Sequence, residues 1–229
     1  MKKISLSILV FVFSFNVSAI GKFRTDLNES VSIILSYESG KITDKIYEQK
    51  LTECSNKENM ECTGILAEYY LKKKSYNVAY PLLLKVLKNK PSNISKEHLS
   101  YDLGRMFHYG WGVLQNENKA LHYLRIAAKL GNGSSAMLIA SIYFDQCKDV
   151  ISDVAYYSKH KKEFDQNIIR AYAWYKVAKS LPKNVKIKPT KNEVVLIDRS
   201  KIHLMSISKL EEANKLASNI CSGIPTCRQ

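Results

Sequence analysis

The side chains able to do chemistry in this chain of 229 residues are five cysteines, five histidines and serine–lysine tetrads. His98, His108, His122, His160 and His203 show none of the spacings that place two imidazoles on one metal, and no H-E-x-x-H is present. Ser158-Lys159-His160-Lys161 and Ser206-Ile207-Ser208-Lys209 both fit S-x-x-K, the pattern of a penicillin-reactive serine. Its companion motifs S-D-N and K-T-G are absent. Cys147 and His160 would make a thiol–imidazole pair, but nothing in the sequence orients them. The expectation is a protein without catalytic residues, metal or cofactor. A penicillin-reactive serine enzyme is the enzyme reading to be weighed against it.

The cysteines point instead to structure. Cys54 and Cys62 on one continuous helix would stand about 12 Å apart along the axis, too far to bridge. They can pair only if the chain turns between them, which the polar Ser55-Asn56-Lys57-Glu58-Asn59 permits. Cys221 and Cys227 flank a segment with Gly223 and Pro225, so a local bridge fits there. Cys147 is left over, as a buried thiol or as a link to a partner chain.

The ends and the charge set the setting. Lys2 and Lys3 precede the apolar Ile4–Val17, and Val17-Ser18-Ala19 offers small residues where a signal peptidase cuts. This is the secretory pattern; the run is shorter than the ~20 apolar residues of a stable span. The alternative is an uncleaved anchor. After cleavage the protein would be periplasmic or secreted and not an integral membrane protein. The formal net charge of +14 favours acidic partners: an acidic or extended protein segment, anionic lipid or cell-wall glycan. Export argues against nucleic acid. The lysines are spread from Lys72-Lys73-Lys74 to Lys183, Lys186, Lys188 and Lys191, as on a solvated surface.

Helical periodicity runs through the chain. Tyr101, Leu103, Gly104 and Phe107 recur at helical spacing, and Gly110-Trp111-Gly112 breaks the run. Asn116 then stands as an N-cap before Ala120, Leu121, Tyr123, Leu124, Ala127 and Ala128, with Gly131 as the stop. Leu99–Tyr109 and Asn116–Leu130 are therefore expected to form an antiparallel helix pair. Ile139, Ala140 and Tyr143 repeat the slots of Leu103, Gly104 and Phe107 at one constant offset. Arg170–Ala178 repeats Lys119–Ala127 at a longer one, so an insert lies at roughly 147–167. A weaker copy precedes: Leu66–Tyr70 with Ala79–Leu87, joined by a shorter loop without glycines. Such periods mark a helical solenoid, in which each unit buries its apolar face on its neighbour. Thr43–Thr52 can cap its start. Ser208-Lys209-Leu210-Glu211 reads as a capping box opening a last helix, with another helix expected over Val194–Met205.

Leu103–Gly131 closely resembles the Sel1-like repeat, a relative of the tetratricopeptide repeat. The match rests on Leu103-Gly104, Phe107, Gly110-x-Gly112-Val113, Asn116, Lys119-Ala120, Tyr123, Ala127-Ala128 and Gly131. Ala171–Tyr175 is similar to the second helix of late repeats in bacterial members. The Cys54–Cys62 spacing is similar to the exported branch, where such a pair pins one repeat to the next. The resemblance implies an all-α, short right-handed α/α solenoid with terminal capping helices, acting as a protein–protein interaction scaffold. The expected layout is a signal peptide at 1–19, N-terminal capping helices at 20–61, about three repeats at 62–181 with the insert at 147–167, and a basic linker and C-terminal capping helices at 182–229. Leu103, Gly104 and Phe107 should point inward. Arg105, His108 and Tyr109 are free to face a groove, with Trp111 at the loop tip either as a contact or as a staple over the helix pair. Tyr69, Tyr70 and Tyr143 read as core. Envelope binding through Lys183, Lys186, Lys188 and Lys191 is the second functional reading.

Overall fold

The computed structural model describes residues 20–151, 154–181 and 206–227. The apolar stretch Ile4–Val17, the lysines at 183–191, His203 and the helix expected over Val194–Met205 lie outside the described residues, as does the side chain of Ser158. Among the described residues there are nine α-helices and no strand. They fall into two compact units, Met1–Asn116 and Glu117–Gln229.

The first unit contains α1 (Ile20–Glu38), α2 (Asp44–Asn56), α3 (Met60–Lys72), α4 (Tyr76–Lys88) and α5 (Asn93–Tyr109). Polar residues set the helix starts. Thr43 caps α2, Asn59 accepts the Cys62 N–H at 3.1 Å, and Ser92 accepts the Ser95 N–H at 3.3 Å. Each satisfies an amide that the first helical turn leaves without a partner. Each helix packs on the next in sequence, and α1 also reaches α3. The core between α1, α2 and α3 is built from Ile33, Ile34, Tyr47, Leu51, Ile65 and Leu66, with both cysteines of the bridge fully buried among them.

That bridge forms as a turn. α2 stops at Asn56, Glu58 takes a left-handed φ of 62°, and α3 starts after the Asn59 cap. The Cα atoms of Cys54 and Cys62 then lie 5.8 Å apart, within bridging range. The α3–α4 loop has no glycine, and Lys74 supplies its positive φ of 59° instead.

The second unit contains α6 (Glu117–Lys129), α7 (Gly133–Ile151), α8 (Val154–Ser180) and α9 (Ile207–Ser222). Again each packs on its neighbour. The repeated slots are buried as the pattern requires: Ala120, Leu124 and Ala127 on α6, Ile139, Ala140 and Tyr143 on α7, Ala171, Trp174 and Tyr175 on α8. The insert at 147–167 is helical over its described residues, in α7 to Ile151 and in α8 from Val154. It lengthens both partners, giving helices of 19 and 27 residues. Between Val154 and Asn167 it has no glycine or proline to stop a helix.

The last helix opens earlier than the Ser208–Glu211 box suggests. Ser206 is the cap, accepting the Lys209 N–H at 3.4 Å, while the Ser208 hydroxyl pairs with that of Ser206. The Lys209 ammonium holds Asp165 on α8. A Cys221–Cys227 bridge, Cα atoms 5.3 Å apart, folds the end of α9 back so that Ile224 is buried. Thr226 then sits over Gly131, where an added Cβ would come within 2.7 Å of its hydroxyl.

Cys147 is buried on α7, its thiol donating to the Tyr143 carbonyl at 3.3 Å. Burial pushes the thiol up to about 12. A thiol so placed is shielded from solvent and from a partner chain, and it is a poor nucleophile. Native protein kept free of reductant should show no reactive thiol to an aromatic disulfide reagent, and one per chain after denaturation. A thiol titrating in the native state would place Cys147 at the surface.

Candidate interaction site

Among the described residues of the first unit, the loop after α5 carries the most exposed large apolar side chain, Leu114. Gly110 ends α5 in the left-handed region, φ 70°, and the Trp111 N–H returns to the Met106 carbonyl at 2.9 Å. Gly112 has φ 67°, and the Asn116 N–H donates to the Phe107 carbonyl at 2.9 Å. The loop is thus tied back to its own helix. Gly112 lies against the start of α4: a Cβ there would meet the Asn77 nitrogen and the Tyr76 carbonyl carbon at 2.6 Å. Only glycine allows both that φ and that approach.

This geometry brings Arg105, His108, Tyr109 and Trp111 together. The Trp111 ring stacks on Tyr76 at 5.0 Å and on Tyr109 at 4.7 Å. The Arg105 guanidinium lies 4.8 Å from the Trp111 ring centre and 5.4 Å from that of Tyr101. His108 meets the Tyr109 ring edge-on at 4.5 Å. Trp111 therefore joins the α4 start to the α5 end, while Tyr109 stays 49% exposed and the neighbouring Leu114 91% exposed. Leu103 and Phe107 are buried, one turn away on the opposite face of α5. Tyr76 escapes a sequence reading because it meets Trp111 only through the α4–α5 packing.

Charge at the site is set by α5 itself. Arg105 pairs with Asp102 at 3.6 Å, one turn earlier. Desolvation pushes Asp102 up to about 7; Arg105 opposes the shift and Glu68 adds to it. Burial also raises Glu68, against the pull of Lys72 and His98. Near neutral pH the Arg105 charge is thus only partly offset by its carboxylate, and the cluster presents a cation on an aromatic stack.

A second feature lies between α1, α2 and α3. A cavity of about 370 Å³ is walled by Tyr37, Tyr47 and Tyr69 and carries Glu38, Glu68 and Lys72. Tyr37 stacks on Tyr47 at 4.2 Å, and Tyr47 meets Tyr69 edge-on at 5.7 Å. Tyr37 donates to Asp44, which also holds Lys73; both contacts keep the Asp44 carboxyl below its ordinary range. Glu48 anchors two hydroxyls, accepting from Tyr70 at 2.8 Å and from Tyr69 at 3.3 Å. Tyr143 is core, buried and bonded by Arg125 at 2.5 Å. Tyr69 is both packed and part of the cavity wall, which its helical spacing does not reveal.

The serine–lysine tetrad at Ser206 is a helix cap with its lysine committed to Asp165. A lysine held as an ion pair does not serve as the base of such a nucleophile. Among the described residues no three His, Cys, Asp or Glu side chains gather as a metal site. No helix among them is long and apolar enough to cross a membrane.

The Sel1 repeat family model matches residues 100–132 and 163–181. The first match runs from α5 through the glycine loop and α6; the second covers the end of α8. Among solved structures, the chain is similar to a protective antigen present in uropathogenic Escherichia coli strains displaying an SLR fold. The identity is 14%, the TM-score 0.56, and the alignment covers 79% of this chain and 34% of that one. The chain thus spans about a third of the length of that structure, and the likeness is one of fold: an all-α helical-repeat solenoid. No curated protein matches the sequence.

Proposed function

Because residues 100–132 and 163–181 match the Sel1 repeat family model, we propose that this chain is a Sel1-like repeat protein acting as a non-enzymatic scaffold, exported from the cytoplasm, which holds a segment of a partner protein on the Trp111 cluster. The observation that carries this reading is the Tyr76–Trp111–Tyr109 stack with Arg105 on its face and Leu114 exposed beside it. Aromatic and arginine side chains on a preorganised loop lose little entropy on binding and dominate the energy of protein interfaces. The Arg105 cation and the chain's +14 charge favour an acidic or extended segment. Two disulfides support export, because such bridges persist in oxidising compartments.

The test is a crosslinking pull-down from the cell envelope, with the captured partner then purified and its affinity measured. Leu114→Glu changes a residue whose side chain is in solvent, and Arg105→Glu reverses the cation. Each is expected to weaken a groove-bound partner by roughly thirtyfold, the scale of an interface hot spot. Equal affinity in both variants would remove the site from the Trp111 cluster. Sedimentation with anionic vesicles, released by salt, would favour the basic envelope-binding reading instead.

A further inference from the structure

We propose that the cavity between α1, α2 and α3 is a binding site for a single organic cation, a guanidinium or alkylammonium group. It uses residues apart from the Trp111 cluster and stands or falls independently of the reading above. Its volume of about 370 Å³ is in the range of small-ligand pockets. Its walls are tyrosine rings, whose faces attract cations. One such contact is already made, with the Lys73 ammonium 5.4 Å from the centre of the Tyr69 ring.

The charges around the cavity select the sign of the ligand. Lys73 is taken up by Asp44, and Lys72 lies 3.9 Å from Glu68. Among the described residues Glu38 makes no hydrogen bond or ion pair, so its carboxylate is the charge left over. Glu68 and Glu38 both act electrostatically on Tyr47, from α3 and from α1, so the two carboxylates flank one wall of the cavity. An anion entering here would meet Glu38 and Glu68; a monocation would neutralise the surplus. The walls are also preorganised. The Tyr37–Asp44 and Tyr69–Glu48 hydrogen bonds hold two of the three rings, and the Cys54–Cys62 bridge ties α2 to α3.

A guanidinium or ammonium can come from a basic side chain of a peptide or from a free amine. The test titrates the full chain, with its tyrosine rings isotope-labelled, with N-acetyl-arginine amide, its uncharged citrulline counterpart, n-butylammonium and a capped Gly-Arg-Gly peptide. The arginine derivative is expected to shift the Tyr37, Tyr47 and Tyr69 ring signals saturably. Citrulline should bind at least about fivefold more weakly. Glu38→Gln, a part-buried position at the end of α1, should weaken the arginine derivative by about three- to fivefold. Tighter binding of the tripeptide than of butylammonium supports the site and marks a protein side chain as occupant; equal binding supports it with a free amine. Citrulline binding as well as arginine, or an unaltered Glu38→Gln variant, would overturn the proposal.

Discussion

Replacing Gly112 by alanine will destabilise the first unit by about 2–5 kcal/mol. Two costs combine. A φ of 67° is left-handed, which costs a residue with a Cβ about 1–2 kcal/mol. The new Cβ also stands 2.6 Å from two backbone atoms of α4, and backbone cannot swing aside as a side-chain tip would. Overpacking of this kind costs about 1–3 kcal/mol. Gly40→Ala separates the two terms: its φ is 74°, but nothing lies within 4 Å of its Cβ. It should cost only about 1–2 kcal/mol. Denaturant unfolding followed by tryptophan fluorescence measures both. If Gly112→Ala costs no more than Gly40→Ala, the loop is not seated on α4, and the Trp111–Tyr76 stack has no firm base.

The second large effect belongs to Cys54 and Cys62. Their bridge closes a loop at a sequence separation of 8. Chain entropy assigns about 2–3 kcal/mol to a loop of that size. Cys54→Ala with Cys62→Ala should lose that and more, because both sulfurs are fully buried and the change leaves a small void. Cys221→Ala with Cys227→Ala, near the end of the described chain, should cost less, since terminal segments open locally at low cost. Reductant should bring the wild-type protein down toward the double variant in the first case. Non-reducing peptide mapping provides the check: Cys54 joined to Cys62. Finding both free, or Cys54 joined to Cys147, would sink the pinning of α2 to α3.

Much of the helical pattern was legible because burial on a helix repeats with the turn. Leu103, Phe107, Ile139, Ala140 and Tyr143 sit where their spacing put them. Gly110 and Gly131 stop helices because few other residues accept positive φ, although Lys74 does the same work without announcing it. The insert at 147–167 was legible from two unequal repeat offsets, which give its length and not its conformation. Over its described residues it extends two paired helices. The start of α9 differs from the sequence reading. Both Ser206 and Ser208 precede the apolar run, and the choice of cap falls to the residue whose hydroxyl reaches the Lys209 amide. Arg105, His108, Tyr109 and Trp111 were legible as neighbours because a single turn and a glycine loop join them. Tyr76 was not.

The sequence by itself determined the all-α repeat pattern, the turn that lets Cys54 approach Cys62, and the glycine loop that presents Trp111. All are local, written in spacing, in backbone freedom and in short separations along the chain. Tertiary structure decided that Gly112 rests on α4, that Trp111 is gripped between Tyr76 and Tyr109, and that Cys147 is sealed. It alone assembled the cavity of Tyr37, Tyr47 and Tyr69. Those rings come from three helices, and their separations along the chain carry no period. Only the packing of α1 and α3 against α2 sets which ring faces meet and which carboxylate is left without a cation among the described residues.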